Sequence, residues 1–493
     1  MSRLAATCAL SVLCSITARA PTERGAAAIE QPTRSQQRQD VARYAGELSS
    51  FDREYPLHGL ALHFQVAVFP QPDGRGTQLG YLRRGTRVRA KAGKPGTGCE
   101  TLWHELHVGG YACAGRGFQV AQTAPSAQDL PTPPVLTAGL PYAYYKILAK
   151  DLPLFTRLPT AIELLGLPVL ITAQRAQDKA KLAQRKDEPP KPEPKLKGKK
   201  PKKLERPPPP PPRALPDYVR LLQQPGYYVS LDVQRAPDRE LGYLRTVRGD
   251  LLHGRDDTLV RESALHGSVL VTAPDLKLGH LALATRAGVP TFTRDAQSGS
   301  LTRGPTLEAL EALAISDEVV NAQGRSMRVA QDGRLIPNDA LRIVPHTPRP
   351  AFVPQSARYL AISLSTQTLV AYDGPRPIYA TLISTGREGF ATPTGIFRIQ
   401  HKHITTTMDG EAGTDESYRI EDVPWTMYFS GSVALHAAFW HERFGQPRSH
   451  GCVNLAPKDA QWLFAWSSPS LPPGLHGVYA TREDPGTFVV ITP

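Results

Sequence analysis

The chain has 493 residues, of which 41% are hydrophobic, and it contains 40 glycines and 47 prolines. This composition argues against a helical bundle and favours several strand-rich domains, roughly 150 residues each, joined by proline-rich connections. The formal net charge is +13, but ten basic and only four acidic residues lie between Arg185 and Arg206. Because so much of the charge is local, it does not indicate a nucleic-acid partner.

The N-terminus has the features of an export signal. One arginine precedes an apolar stretch from Leu4 to about Ala18, and residues 18–20 (ARA) have the small-x-small form of a signal-peptidase site. We therefore expect residues 1–20 to be a signal peptide and the protein to lie in the periplasm or cell envelope. A lipid anchor on Cys14 is the alternative to plain secretion.

Two predicted segments follow. Residues 21–58 are polar and are expected to be poorly ordered. Residues 59–125 alternate short apolar runs with turn signals, which predicts a small β-barrel or sandwich, and the order of its strands resembles that of bacterial SH3-like modules. In an oxidising compartment Cys99 and Cys113 could form a disulfide worth about 3 kcal/mol; two unpaired buried thiols are the alternative.

A second β module is predicted at 139–275, because the sequence LGYLR at 79–83 recurs at 241–245. A Lys/Pro-rich insert at 185–216 interrupts this module, and its six consecutive prolines favour polyproline II. The lysines of the insert could contact an anionic envelope surface, although a solvated spacer is the simpler interpretation. Residues 276–345 are predicted to form a third small β-rich module.

The C-terminal region, 355–493, has the most regular pattern. Residues 359–374 alternate apolar and polar positions around a turn and predict a hairpin. Residues 456–467 predict a helix, since Pro457 suits the first helical position and apolar residues recur along it. A lone cysteine, Cys452, therefore lies at a strand-to-helix corner of a mostly β domain.

Cys452 could be a nucleophile. Such a cysteine needs a base and hydrogen-bond donors for an oxyanion. His436, at the end of a predicted strand, and His450 could supply the base, and Gly451 permits a tight turn that directs backbone amides toward the sulfur. The dipole of the following helix would modestly lower the thiol pKa.

Other roles for Cys452 are a structural core residue, half of a disulfide, or a ligand in a zinc site with His436, His441 and His450. The zinc site is disfavoured because His450 and Cys452 would chelate awkwardly across one glycine. Ser449 is a poorer nucleophile than a thiolate at neutral pH. From the residues alone, none of these alternatives is excluded.

The stretch SHGCVNL at 449–455, together with LHAAFW at 435–440, resembles the signature of the L,D-transpeptidase (YkuD) family. Upstream, the hairpin at 359–374 and the Gly/Thr/Pro-rich stretch at 384–399 also resemble that family. The resemblance covers the C-terminal region only. It implies an L,D-transpeptidase-type β-sandwich with a short helix after the cysteine, preceded by the small SH3-like β-barrel modules.

The resemblance also implies roles for individual residues. The catalytic residues would be Cys452, His436, His450 and Gly451. The substrate-binding residues would be Ser449, Asn454, Trp440 and Tyr428. In detail, Cys452 would be the nucleophile and His436 the general base, oriented by a backbone carbonyl. The amides around Gly451 would bind the oxyanion, and the acidic segment His401–Asp422 would form a flap over the cleft.

The implied activity is acyl transfer on peptidoglycan stem peptides through a cysteine thioester, which forms cross-links. An L,D-carboxypeptidase acting on the same substrate, or a cell-wall binding protein without catalysis, is the alternative. No metal or organic cofactor is expected, and we expect a monomer.

Overall fold

The computed structural model describes residues 50–186, 215–235, 241–254, 258–270, 280–410 and 418–493. The chain divides into two compact units, Met1–Glu54 and Tyr55–Pro493. In the first unit residues 50–54 are described and are helical. The predicted signal peptide, Cys14, most of the predicted poorly ordered segment and most of the Lys/Pro-rich insert lie outside the described residues.

The mainly β fold class predicted from the sequence is confirmed. The strands upstream of residue 276 are β1 (Leu57–Ala61), β2 (Gln65–Val68), β3 (Gly80–Arg83), β4 (Arg87–Ala90), β5 (Trp103–Glu105), β6 (Tyr111–Cys113), β7 (Phe118–Ala121), β8 (Ala143–Lys146), β9 (Leu152–Phe155), β10 (Val219–Gln223), β11 (Tyr228–Leu231), β12 (Tyr243–Arg245), β13 (Leu251–His253) and β14 (Ser268–Val269). Those between 276 and 345 are β15 (Leu281–Ala284), β16 (Val289–Arg294), β17 (Leu301–Leu307), β18 (Ala312–Ala322), β19 (Arg325–Ala330), β20 (Leu335–Pro337) and β21 (Leu341–Val344).

The C-terminal region contains β22 (Arg358–Ser363), β23 (Thr368–Asp373), β24 (Arg376–Leu382), β25 (Gly395–Arg398), β26 (His401–Asp409), β27 (Arg419–Ser430), β28 (Val433–Ala437), β29 (Val453–Leu455), β30 (Gly477–Tyr479) and β31 (Phe488–Thr492). Two α-helices are described from Tyr55 onward, α1 (Ala161–Lys186) and α2 (Pro457–Trp466). Helix α2 is the short helix predicted after Cys452. Among the described residues, no helix is long and apolar enough to cross a membrane.

Helix α1 lies where the sequence reading expected only β structure. Its N-terminus is a capping box: Thr160 Oγ accepts the Glu163 N–H (3.3 Å), and Glu163 Oε2 accepts the Thr160 N–H (2.8 Å). This T-x-x-E signal is local and could have been recognised from the sequence. Pro168 lies inside the helix. A proline at an interior position argues against a helix in the sequence pattern, because it removes a backbone hydrogen bond.

Two sheets form the sandwich of the C-terminal region. One has six strands in the order β14-β24-β23-β22-β31-β25. Along β22, Leu360 and Ile362 face a core shared with Met427 and α2, whereas Tyr359 and Ala361 face the opposite side. That opposite side packs against the 276–345 segment. Because both faces of the sheet are buried, residues 359–362 of β22 form a continuous apolar run instead of alternating with polar residues.

The other sheet has nine strands and draws on three parts of the chain. Its main path runs β2-β3-β30-β26-β27-β11-β8, with β28 paired to β27 and β29 to β28. Strand β3 pairs with β30 through Gly80 and Val478, and β11 pairs in parallel with β27 through Tyr228 and Ile420. The segments at 59–125 and 139–275 therefore both extend the sheet of the C-terminal region. The two LGYLR repeats differ in place, since β3 joins this sheet and β12 joins a separate four-stranded one.

A buried ion pair fastens the upstream strand β3 to this sheet. Arg83 Nη1 lies 2.6 Å from Asp422 Oδ1, and both side chains are almost inaccessible to solvent. Asp422 also accepts hydrogen bonds from Ser230 Oγ of β11 and from Thr405 Oγ (2.8 Å) of β26. Four strands from three segments thus meet at one carboxylate. Elsewhere in the first segment, a disulfide joins Cys99 to Cys113.

Candidate active site

A cavity of about 660 Å³ opens beside the strand-to-helix corner that carries Cys452. It brings together seven of the eight residues that the sequence assigned to the site; the eighth, Gly451, lies in the same loop. The lining residues that come from the C-terminal region are Thr407, Met408, Asp409, Tyr418, Ile420, Tyr428, Ser432, Val433, His436, Trp440, Arg448, Ser449, His450, Cys452 and Asn454.

The pairing of β28 with β29 positions the cysteine and the histidine. The two strands are parallel, with Leu435 opposite Val453 and His436 opposite Asn454. Cys452 directly precedes β29, so it stands two positions before Asn454. Side chains two positions apart on a strand point to the same face. Cys452 and His436 therefore project into the same cavity from adjacent segments of the sheet.

His436 is held as a neutral imidazole with a defined tautomer. Its ring is buried, and Nδ1 donates a hydrogen bond to the carbonyl of Ala437 (3.1 Å). This is the backbone carbonyl expected to orient it. Burial lowers the pKa of His436 to about 4, although the bond to Ala437 acts in the opposite direction. At neutral pH the Nε2 lone pair is consequently available to accept a proton.

Cys452 is a partly exposed free thiol. Burial raises its pKa above the usual value, and the N–H of Ala434 only partly offsets this. The thiol donates to the carbonyl of Ser432 (3.8 Å), and no hydrogen bond joins it to His436 in this form. The resting pair is therefore a neutral thiol and a neutral imidazole. Proton transfer between the two groups would require Sγ to come within hydrogen-bond reach of Nε2.

The loop before Cys452 is braced by hydroxyl groups. Gly451 has φ +116°, a conformation that favours glycine. Ser449 Oγ accepts the Gly451 N–H (3.1 Å) and donates to the carbonyl of Cys452. Thr392 Oγ donates to the carbonyl of Gly451 (2.8 Å) and accepts the Gly386 N–H (2.9 Å). The Gly451 amide is thus engaged by Ser449, which leaves the Cys452 amide as the better oxyanion donor.

His450 forms the rim of the cavity on the side of the loop. Its Nε2 lies 3.1 Å from Arg387 Nη2, its ring stacks on Tyr418 with centroids 5.3 Å apart, and Phe390 contacts it edge-on at 4.6 Å. These contacts fix the ring as a wall beside the sulfur. They give it no direct link to His436.

Trp440 contacts His436, and Asn454 contacts a second histidine, His441. The Trp440 ring stacks on the His436 ring with centroids 5.6 Å apart. Asn454 Nδ2 donates to His441 Nε2 (3.0 Å). Burial lowers the pKa of His441 to about 4, and the nearby charges of Arg448 and His436 act in the same direction. His441 is therefore a neutral acceptor at physiological pH.

Tyr428 and the segment predicted to be a flap are placed by the sheet. Tyr428 lies opposite His401 on β27 and stacks on its ring, and burial together with the nearby Cys452 raises its pKa to about 12. Most of the described part of His401–Asp422 forms the β26–β27 hairpin and continues the sheet. The flap over the cleft stays a prediction. Residues 411–417 lie outside the described residues.

The sequence reading missed cavity residues that come from far upstream. Lys146 of β8, Tyr228 of β11 and Gly226, which precedes β11, also line the cavity. No local motif marks them, since they reach the site only through the pairing of β11 with β27. Thr392, by contrast, lies in the Gly/Thr/Pro-rich stretch that the family resemblance had singled out.

A second pair of histidines, His401 and His403, forms an ordinary contact within the sheet. His401 Nδ1 lies 2.8 Å from His403 Nε2, and both rings pack among tyrosines of the sheet. Within the described ranges, no group of three His, Cys, Asp or Glu side chains could hold a metal ion.

Comparison with known proteins agrees with this geometry. The model of the YkuD family, described as an L,D-transpeptidase catalytic domain, matches residues 357–491. Over 89 residues the chain is 33% identical to L,D-transpeptidase 2 of Mycobacterium tuberculosis, which covers 16% of this chain and 22% of that protein. The chain thus spans less than a quarter of the length of that relative.

Two solved structures are similar to part of the chain. An L,D-transpeptidase from Stackebrandtia nassauensis is 22% identical over 28% of this chain and 57% of that one, with a TM-score of 0.21. The catalytic domain of the Enterococcus faecium L,D-transpeptidase is 23% identical over 28% of this chain and 98% of that one, with a TM-score of 0.22. Both TM-scores are low, and the family match stands on the sequence. Residues 357–491 are therefore identified as a catalytic domain of the L,D-transpeptidase (YkuD) family.

Proposed function

We propose that this protein transfers acyl groups between peptidoglycan stem peptides through a thioester on Cys452. One observation carries the proposal: β28 and β29 direct Cys452 and His436 into one cavity, and the Ala437 carbonyl holds His436 Nδ1 so that Nε2 is available to accept a proton. The other roles suggested for Cys452 do not require an oriented neutral imidazole beside it.

In the first half-reaction the acyl donor is a tetrapeptide stem. His436 Nε2 takes the thiol proton as Cys452 Sγ bonds to the carbonyl carbon between the third, diamino-acid residue and the terminal D-alanine. The Cys452 N–H donates to the oxyanion. The C–N bond then breaks, the proton passes from His436 to the departing amine, and D-alanine leaves a thioester behind.

In the second half-reaction an amine of a neighbouring stem attacks the thioester. His436 accepts the proton of that amine, the C–S bond breaks, and the thiolate is reprotonated. The product is a 3→3 cross-link. No step requires a metal or an organic cofactor.

Water in place of the amine would make the enzyme an L,D-carboxypeptidase. Two features favour the amine. Trp440 and Tyr428 give the cavity aromatic walls, and Ile420 and Met408 add apolar surface. An acceptor stem that covers these walls excludes water from the thioester. The substrate lies outside the cytoplasmic membrane, which agrees with the export signal predicted at residues 1–20.

Incubation of the purified protein with a defined disaccharide-tetrapeptide tests the proposal. Mass spectrometry should find 3→3 cross-linked dimers with the wild type and none with Cys452→Ala. Tripeptide alone would favour the carboxypeptidase. Without either product, and without a covalent adduct on Cys452 after exposure to a carbapenem, the site is inactive. A wall-binding role would then replace the proposal.

A further inference from the structure

A row of four paired residues crosses the sheet beneath the cavity and passes from upstream chain into the catalytic domain. Lys146 of β8 lies opposite Tyr228 of β11, Tyr228 opposite Ile420 of β27, and Ile420 opposite Met408 of β26. All four line the cavity that contains Cys452. The substrate cleft therefore extends beyond residues 357–491 and onto a strand outside the family match.

The upstream part of this row is firmly anchored. Tyr144, two positions before Lys146, is fully buried, packs on Phe439 with ring centroids 4.1 Å apart, and donates to the carbonyl of Asp422 (2.6 Å). The Val260 N–H donates to the carbonyl of Tyr144 (2.9 Å). Since Phe439 adjoins Trp440, the anchor of β8 and the aromatic wall of the cleft are one packed unit.

A second cavity continues from the first. It has a volume of about 420 Å³ and shares Lys146, Tyr228 and Trp440 with the catalytic cavity. Its further walls come from Thr258–Arg261 on the upstream side and from Phe439–Glu442 on the catalytic side. Lys146 thus stands at the junction of two cavities, both formed between upstream chain and catalytic domain.

The charge of Lys146 matches the substrate class. Its side chain is exposed at an edge strand, and among the described residues no carboxylate forms an ion pair with it. Stem peptides built from acidic and diamino-acid residues carry carboxylates that take no part in peptide bonds. An ammonium group at the junction would pair with one of these by a charge-assisted hydrogen bond.

We propose that β8 completes the substrate cleft and that Lys146 binds a free carboxylate of a stem peptide, which positions that stem across the junction of the two cavities. The inference rests on the proposed function and adds a specificity residue from outside the catalytic domain. Lys146 takes no part in the bond-making steps.

The test compares Lys146→Met with Lys150→Met in the full-length protein. Lys150 is exposed, lies four residues further along, and lines neither cavity. With a tetrapeptide stem as donor and acceptor, Lys146→Met should lose roughly tenfold or more in kcat/KM for dimer formation, whereas Lys150→Met should match the wild type. Acylation by a carbapenem, which lacks the stem carboxylates, should proceed equally in all three proteins.

Amidated stems identify the carboxylate. When the carboxylate that Lys146 binds is converted to an amide, the wild type should react with that stem about as slowly as Lys146→Met reacts with the unmodified stem. The kcat/KM of Lys146→Met itself should be the same for the amidated and the unmodified stem. Thioester formation from donor alone, and its aminolysis at varied acceptor concentration, separate a donor carboxylate from an acceptor carboxylate. An effect in either step supports the inference.

Equal kcat/KM for Lys146→Met and the wild type, in an enzyme that forms dimers, would overturn the inference and leave the proposed function intact. The inference would also be overturned if Lys146→Met lost the same factor in kcat/KM, relative to the wild type, with every amidated stem as with the unmodified stem. A wild type that forms neither a thioester nor a carbapenem adduct would remove the proposed function, and the inference with it.

Discussion

The buried pair between Arg83 and Asp422 should be essential for stability, and Arg83→Met tests this. Arg83 Nη1 lies 2.6 Å from Asp422 Oδ1, with both side chains out of solvent. Removal of one partner from such a pair costs about 3–5 kcal/mol, because the other charge is left buried and uncompensated. The hydrogen bonds that Asp422 retains from Ser230 and Thr405 place the expected loss at about 3 kcal/mol.

The loss should depend on pH in a defined direction. Burial by itself would raise the pKa of Asp422, but the charge and hydrogen bond of Arg83 outweigh it and hold the pKa well below its usual range. Without Arg83, burial should raise the folded-state pKa above that of the unfolded chain. The contribution of Asp422 to the stability of the variant is then most favourable below about pH 4 and is lost as the pH rises. The gap to the wild type should widen between pH 4 and 7.

Urea denaturation at several pH values measures this. Arg334→Met is the control, since Arg334 pairs with the half-exposed Asp332 at 2.7 Å, and an exposed pair contributes at most about 1 kcal/mol. A double variant, Arg83→Met with Asp422→Leu, should recover part of the loss because no charge is left buried. An Arg83→Met protein as stable as the Arg334→Met control at pH 7 would refute the reasoning.

Further predictions concern the site itself. The pKa of the Cys452 thiol is raised, and His436 is neutral above about pH 4. The rate of Cys452 alkylation by iodoacetamide should therefore still increase above pH 8. A plateau of that rate between pH 5 and 8 would indicate a thiolate–imidazolium pair instead. The folded pKa values of His436 and His441 are about 4, and the unfolded chain binds protons first as the pH falls below about 6.5. The melting temperature should therefore fall between pH 6.5 and 4, and a constant or rising value by calorimetry would contradict this. Ser449→Ala leaves the Gly451 N–H without its acceptor and should slow carbapenem acylation roughly tenfold; an unchanged acylation rate in stopped-flow measurements would show that this brace is dispensable.

The parts of the fold that local patterns specify were predictable. Pro457 and the apolar spacing after it gave helix α2, and the mainly β fold followed from composition and short alternating runs. Cys452 and His436 were predictable as cavity residues because each lies in a short, distinctive stretch of sequence, and both do line the cavity; their catalytic roles stay predictions. The capping box at Thr160 and Glu163, which begins helix α1, is an equally local signal, although the segment around it was predicted to be β.

What could not be predicted depends on long-range pairing. No signal in the sequence places Lys146 and Tyr228 beside Cys452, because their contact with the cleft depends on β11 pairing with a strand about 190 residues away in the chain. The role of Arg83 was not predictable either. Arg83 and Arg245 occupy the same position in the two LGYLR stretches, so the local sequence does not distinguish them. Arg83 is buried against Asp422, whereas Arg245 pairs with the exposed Asp129. Identical local sequences thus have different roles because their neighbours differ.

Trapping the acyl-enzyme tests the central claim most directly. The wild type and His436→Ala are mixed with a tetrapeptide stem in the absence of an acceptor, quenched in acid within seconds, and analysed by intact mass and peptide mapping. The wild type should carry a tripeptide thioester on Cys452 with release of D-alanine, and His436→Ala should acylate at least a hundredfold more slowly. A modification at another residue, or equal acylation in the two proteins, would contradict the account.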